Sequence, residues 1–447
     1  MPDRLRHDAL QIWQAGLRSV DSARLVRQAM RCEADRLLIC DEPIELASVR
    51  RIAIVGAGKA GAGMAAGLLE ALGPEIIAEK QVTGWINVPE DCVRSLPPLT
   101  VHPARPAGLN EPTAAGVRGT QEILRLVRSL ESDDLCFCLI SGGASALMPA
   151  PAEGITLADK LAVTRQLSAA GANIAELNTV RKQLSQIKGG GLARDCSAGR
   201  LITLIISDVL GDPINIIASA PTFDDSSSPE AALAVLERFN SRQMGVPAAI
   251  FDYLQRRTQL PPQPLTCRVR NHIIGNLVTA VDAAGMEAER LGYSHAMTCA
   301  RQLEGDAEDV GRHLAQLALS MRRGPGPDCL ISGGEPVVRL APPEVRGLGG
   351  RNQQLALAAL EVLAPDGGRG IVLLSGGTDG EDGPTDAAGA LVDEQTVAAA
   401  HSRGLDPADY LKRSDAYHFF EPLGGLLKTG PTHTNVCDLR VVLVDRF

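Results

Sequence analysis

One of the seven lysines in this chain lies inside a glycine turn, Gly56-Ala57-Gly58-Lys59-Ala60-Gly61. The turn follows the apolar run 51–55 and opens an Ala/Gly-rich stretch of helical spacing. In that context GxGxxG places a helix N-terminus, with unpaired N–H groups, where an anion can sit. Lys59 adds a point charge suited to a phosphate oxygen. A dinucleotide reading wants a carboxylate closing the next strand about 20 residues on, and Glu90 and Asp91 come later than that. The same residues also satisfy a plainer reading, tight strand–helix packing beside a solvated lysine.

Further polar loops recur along the chain. Ser141-Gly142-Gly143-Ala144-Ser145 half resembles a nucleophile elbow, but Leu147 stands where the elbow needs glycine, and no His–Asp pair follows from the sequence. Binding of a carboxylate or phosphate by its backbone and hydroxyls fits it better than hydrolysis. Arg181, Lys182 and Lys188 precede Gly189, Gly190 and Gly191, a small basic cluster or a solvated helix end. Asp208, in Ser207-Asp208-Val209-Leu210-Gly211-Asp212, ends an apolar strand, where a carboxylate can hold a metal, accept a hydroxyl proton or cap a turn. Arg351 sits where Gly349-Gly350 enters a helix and could neutralise a transferring phosphate.

The acidic loop after Gly376 and Gly377 carries Thr378, Asp379, Glu381, Asp382 and Asp386, four carboxylates within eight residues. Hard oxygen donors on a glycine loop suit Mg²⁺ shared with substrate phosphates; a solvated acidic loop is the alternative. Lys428-Thr429-Gly430 lacks the full P-loop, so a Walker ATPase is unsupported.

These loops need elements to position them. Apolar strands at 51–55, 84–88, 135–140, 201–206, 329–331 and 371–374 alternate with helical patterns at 59–72, 113–130, 157–170, 231–239, 276–291, 306–321, 352–363 and 394–403. Continuous apolar strands between helices imply sheets covered on both faces, an α/β fold. LISGG at 139–143, LISGG at 330–334 and LLSGG at 373–377 each end a strand in a glycine loop, the place where α/β sheets bind ligands. Turn formers at 221–229 and a proline-rich break at 258–264 set a domain boundary near 245.

Composition narrows the function. The net charge of −9 removes the basic footprint that a general nucleic-acid or anionic-membrane binder needs. No run approaches a membrane span. Ten cysteines without a CxxC suit a reducing, cytoplasmic setting, and eight histidines without HExxH or HxH give no zinc pattern.

Taken in order, VGAGKAGAGMA (55–65), LISGGASALMPAP (139–151), LNTVRKQLSQIKGGGLA (177–193), SDVLGDP (207–213), GGRNQQLALA (349–358), SGGTDGEDGPTDAAGA (375–390) and KTGPTHTNV (428–436) resemble the class II glycerate kinases, the family with the MOFRL C-terminal domain. The resemblance covers nearly the whole chain. It implies an N-terminal Rossmann-like domain over 1–245, a MOFRL-type α/β domain over 246–447, and a site between them. It implies ATP- and Mg²⁺-dependent phosphorylation of D-glycerate, generally on the 2-hydroxyl, and leaves room for a homodimer. By motif position Lys59, Asp208 and Arg351 are the expected catalytic residues. Ser141, Gly142, Gly143, Ser145, Arg181 and Lys182 are expected at the substrate, and Gly56, Gly58, Lys188, Gly189, Gly190, Gly377 and Thr378 at the nucleotide. Asp379 and Asp382 are the expected metal ligands. Two rivals stand beside this reading. An NAD(P)-dependent hydroxypyruvate reductase would use the 56–61 turn and leave the acidic loop without a task; a non-catalytic sugar-acid sensor would keep the pockets without the metal-dependent step.

Overall fold

The computed structural model describes residues 2–225, 227–261 and 263–446. The chain forms two compact units: Ser22–Ile206 with Asp212–Ile274, and Met1–Asp21 with Ser207–Gly211 and Gly275–Phe447. These units differ from a single cut near 245. Helix Pro2–Ser19 has an apolar stripe of Leu5, Ala9, Ile12 and Trp13 that packs with Leu277, Val281 and Leu439 of the C-terminal unit. Helix Ala248–Thr258 buries Ile250, Phe251 and Leu254 in an N-terminal cluster with Val163 and Val180. Apolar faces, not chain order, decide membership.

The N-terminal unit opens with an antiparallel meander, β1 (Met30–Glu33), β2 (Arg36–Ile39) and β3 (Glu42–Glu45). A six-stranded sheet follows: β4 (Ile52–Ala57), β5 (Thr83–Pro89), β6 (Leu99–Arg105), β7 (Leu135–Ile140), β8 (Arg200–Ile206) and β9 (Arg268–Gly275), in the order β6-β5-β4-β7-β8-β9. The pairs from β6 through β8 are parallel, and β4 and β7 are buried along their whole length, as strands covered on both faces must be. This is the Rossmann strand order, with its switch point between β4 and β7. A helical cluster adds Leu157–Ala169, Ile174–Gln183, Pro229–Arg238 and Ala248–Thr258. The first two start with capping boxes, Thr156 with Asp159 and Asn173 with Glu176.

The C-terminal unit holds β10 (His295–Cys299), β11 (Cys329–Gly334), β12 (Ile371–Gly377), β13 (Gly389–Val392), β14 (Leu426–Leu427) and β15 (Asp438–Val444), ordered β10-β11-β15-β12-β13-β14. β15 runs antiparallel to both β11 and β12. Those two strands therefore point the same way, and their terminal Gly334 and Gly377 flank Asp438 in register. Val442 and Val444 pack with Leu314 and Leu357 from helices Ala307–Arg323 and Arg351–Leu363, while Leu439, Val441 and Leu443 pack with helices Pro2–Ser19 and Leu277–Arg290. Among the described residues, no helix is long and apolar enough to cross a membrane.

Candidate active site

At the switch point, β4 and β7 bring the first two glycine loops together. A Cβ on Gly56 would stand 2.2 Å from Leu139 O, and one on Gly58 2.0 Å from Ser141 Oγ, so both glycines serve close backbone approach. Gly58 N–H donates to Asn87 O (3.2 Å), Lys59 N–H to Gly142 O (2.9 Å), Ala60 N–H to Ser141 Oγ (3.0 Å) and Gly61 N–H to Gly58 O (3.0 Å). Here the structure differs from the expectation of a turn with open N–H groups. The sequence shows the glycines but not the Ser141 loop that occupies the amides of Lys59 and Ala60. The arrangement tells against a pyrophosphate cradle, and with it the reductase reading. Arg105, buried at the end of β6, lies beside this loop, with Nη2 3.2 Å from where a Gly143 Cβ would be.

Ser145 follows in the short helix Ala144–Leu147. Its Oγ accepts from Arg181 Nη2 (3.1 Å) and from Lys188 Nζ, and lies 3.2 Å from Ser219 Oγ. Lys188 Nζ also donates to Ser219 Oγ and Ser145 O, each at 3.2 Å. Cations, not a His–Asp pair, surround this hydroxyl, which disposes of the nucleophile elbow. Lys182 points elsewhere: Nζ pairs with Asp225 Oδ1 (2.7 Å) and donates to Asn215 O (3.0 Å). Gly189 and Gly190, both with positive φ, turn the chain, and their amides are bonded to Ser219 O and Ala220 O. Sequence reading missed Lys160. It lies at the i position of a buried i, i+3, i+7 stripe with Val163 and Leu167, and a lysine interrupting an apolar stripe was the signal. Burial and nearby Arg181 push its ammonium down to about 7. Burial, then Arg181, Lys160 and Lys182, push Lys188 well below the ordinary lysine value.

The C-terminal unit has the opposite character. Arg351, the first residue of its helix, grips Asp438 with Nε (2.7 Å) and Nη2 (3.0 Å) and reaches Glu335 with Nη1 (2.8 Å). A Cβ on Gly377 would stand 3.2 Å from Asp379 Oδ1 and 3.5 Å from Asp438 Oδ1, so those carboxylates converge on the end of β12. Burial, with Asp438 and Asp379, raises Glu335, and Arg351 opposes that rise. Asp208 joins the unit through Asn435 Nδ2, which donates to its Oδ2 (3.2 Å), and Cys437 Sγ, which donates to its O (3.0 Å). Glu335 and Asp438 were also missed. Glu335 follows the second LISGG directly, which was a signal; Asp438 starts a strand whose antiparallel direction composition does not reveal.

The acidic loop does not act as one cluster. Asp382, expected as a metal ligand, is buried and accepts from Asn352 N–H (3.0 Å) and Gln353 N–H (2.8 Å), capping helix Arg351–Leu363 from outside. Burial raises it to about 7, although those two amides pull it down. Asp386 pairs with Lys428 (2.8 Å). Thr378 is fully buried and clamps the loop, its Oγ1 donating to Cys437 O (2.7 Å) and accepting from Val436 N–H (2.8 Å). Gly377 N–H is bonded to Ala388 O (2.8 Å). Among the described residues no three His, Cys, Asp or Glu side chains are placed to hold a metal by themselves. Mg²⁺ characteristically needs only one or two carboxylates beside phosphate oxygens, and the donor set of Asp379 and Glu335 fits that mode.

Residues 8–255 match the family described as "Domain of unknown function (DUF4147)", and residues 328–438 match the MOFRL family. The glycerate kinase of Homo sapiens is 36% identical, with 98% of this chain and 93% of the relative covered. The D-glycerate 2-kinase of Thermotoga maritima is 36% identical over 99% of both chains. The chain belongs to the glycerate kinase family. A crystal structure of glycerate kinase from Thermotoga maritima superposes with a TM-score of 0.84 at 33% identity, covering 99% of this chain and 100% of that one. This glycerate kinase family member thus carries two charged clusters, one in each unit. The structure gathers Ser141, Gly143, Ser145, Arg181 and Lys188 with Lys59 in the first unit, and Asp208, Arg351 and Asp379 in the second.

Proposed function

We propose that this chain transfers the terminal phosphoryl group of ATP to the 2-hydroxyl of D-glycerate with Mg²⁺. The observation that supports this reading best is the convergence of Glu335 and Asp438 on one guanidinium, Arg351, with Asp379 beside Asp438 at the end of a glycine-terminated strand. Such a set can hold cation and phosphate together, which is most of what phosphoryl transfer asks of a protein.

The roles follow from the chemistry. Asp208 takes the proton of the attacking hydroxyl as its oxygen bonds to phosphorus and the bond to the bridging oxygen of ADP breaks. Arg351 uses three of its five N–H donors on Asp438 and Glu335, which fixes the plane of the guanidinium and leaves two for phosphoryl oxygens. Lys59 steadies the carboxylate or the moving phosphoryl group. Asp379 with Glu335, in place of Asp382, would hold Mg²⁺, which when bound neutralises phosphate charge.

The test is direct. Purified protein is given D-glycerate, ATP and Mg²⁺, and in parallel hydroxypyruvate with NADH or NADPH. Metal-dependent ADP release, with 2-phosphoglycerate identified by NMR, supports the kinase; nicotinamide oxidation without ADP release sinks it. Binding of glycerate without either reaction would favour the sensor. Lys59→Ala should lower turnover about 10²–10³-fold; unchanged turnover would remove Lys59 from the mechanism.

A further inference from the structure

We propose that Lys160, Arg181 and Lys188, with the hydroxyls of Ser145 and Ser219, form one buried pocket for a phosphate-class dianion. The sequence motifs divide these residues between substrate and nucleotide, and Lys160 belongs to neither. The geometry joins them. Arg181 and Lys188 converge on the same Ser145 oxygen, and Ser219 Oγ lies 3.2 Å from both that oxygen and Lys188 Nζ; Lys160 lies on the buried stripe of its helix with Val163 and Leu167, which pack with Val180 of the helix that carries Arg181.

Charge counting argues for the ligand. Four cations stand on helices Leu157–Ala169 and Ile174–Gln183 and on the loop after them. The carboxylate beside them, Asp225, is taken up by Lys182. That leaves Arg181 and Lys188, whose partners are hydroxyls and a backbone carbonyl, and Lys160. Lys160 is 9% exposed, and its ammonium makes no hydrogen bond or ion pair among the described residues. A buried, unpartnered ammonium is costly unless something else compensates it. One carboxylate would cancel a single charge and offer two oxygens. A phosphate dianion cancels two and offers oxygens on several sides, matching donors that come from several separate elements.

A second consequence concerns protons. In the free pocket Arg181 and burial hold Lys160 down to about 7, and Lys188 is also depressed. An anion favours the charged ammonium, so binding above neutrality should draw protons from solution. The groups that set this balance are Lys160, Arg181, Lys182 and Lys188, with Asp225 tied to Lys182.

The inference deepens the kinase reading by naming the ligand class of one cluster, and its test needs no turnover. Inorganic phosphate is titrated calorimetrically into the full-length protein at pH 6 and pH 8, in buffers of different ionisation enthalpy, with D-glycerate as a separate arm. Wild type should bind phosphate with net proton uptake at pH 8 and less at pH 6. Lys160→Met should weaken phosphate binding about 10-fold or more and reduce the uptake at pH 8. Arg181→Met, the second variant, should weaken it at both pH values. Phosphate that does not bind, or binds both variants as it binds wild type, overturns the proposal. So does D-glycerate that depends on these residues when phosphate does not, because the pocket would then be a carboxylate site. Should the ADP assay fail while phosphate binds as expected, the pocket stands and the kinase reading falls.

Discussion

The two units solve opposite electrostatic problems. In the N-terminal unit Arg181 and Lys188 gather around two serine hydroxyls, Lys160 is buried on the neighbouring helix, and Asp225 is paired with Lys182. In the C-terminal unit two carboxylates, Glu335 and Asp438, share one guanidinium, and Asp379 stands beside Asp438. The two clusters carry charge of opposite sign. A protein built only for stability would pair such charges or replace them with apolar groups. The difference in sign teaches that one cluster is prepared for an anion and the other for a cation or a metal-bound phosphate.

The largest way to break this comparison is to remove the shared guanidinium. Arg351→Met leaves Asp438, which is fully buried, without its bidentate partner. Stability should fall by about 3–5 kcal/mol, and turnover by about 10²-fold or more. Arg351→Met with Asp438→Asn should recover much of the melting temperature but not the turnover. If the double variant regained turnover, Arg351 would be a structural strut only.

A smaller effect separates two aspartates that look alike in sequence. Asp379 stands at the end of β12 beside Asp438, whereas Asp382 caps a helix. Asp379→Asn should raise the Mg²⁺ concentration for half-maximal turnover by about 10–100-fold. Asp382→Asn keeps an acceptor for the helix and should leave that concentration within about threefold of wild type. Equal Mg²⁺ shifts in both variants would restore the acidic loop as one ligand set.

How much of this was legible beforehand follows from what patterns carry. Apolar runs ending in glycine loops marked β4, β7, β11 and β12 because strands buried on both faces leave continuous hydrophobic stretches. They also marked Ser141, Arg181, Lys188, Asp208, Arg351 and Asp379 as polar residues at strand or helix ends. They did not reveal that β15 inserts antiparallel between β11 and β12, since strand direction is a property of the pairing partner. Asp438 and the convergence on Arg351 were hidden with it. Nor does a loop composition distinguish an Asp that caps a helix formed 30 residues earlier from one that faces a ligand. Lys160 was overlooked for a different reason, because a lysine inside a helical pattern reads as solvent-facing until its stripe is traced.

The N-terminal cluster can be tested through stability alone. Lys160→Met removes a buried ammonium without a counter-ion, so at pH 6 the variant should be more stable than wild type by about 1–3 kcal/mol. A folded-state value of about 7 lies below the ordinary 10.5 of the unfolded chain. The penalty is therefore complete below about pH 7 and fades as pH rises toward 10.5. The advantage of the variant, read from denaturant midpoints, should shrink between those limits. A constant advantage would show that Lys160 stays protonated in the folded protein.

Asp382 should give the mirror image and the subtlest signal. Its folded-state value, raised to about 7, lies above the unfolded 3.8. The stability this group contributes is present below 3.8 and is lost as pH rises through about 7. Comparison with Asp382→Asn isolates this part of the profile, because the amide retains an acceptor for the helix amides and does not titrate. Wild type should lose stability relative to the variant between pH 4 and 7, then run parallel to it. Together the two buried groups put opposite slopes on either side of neutrality, so both charges carry their full cost only near pH 7. If Asp382→Asn and wild type ran parallel from pH 4 upward, the two cap amides would outweigh burial, and Asp382 would be an ordinary ionised helix cap.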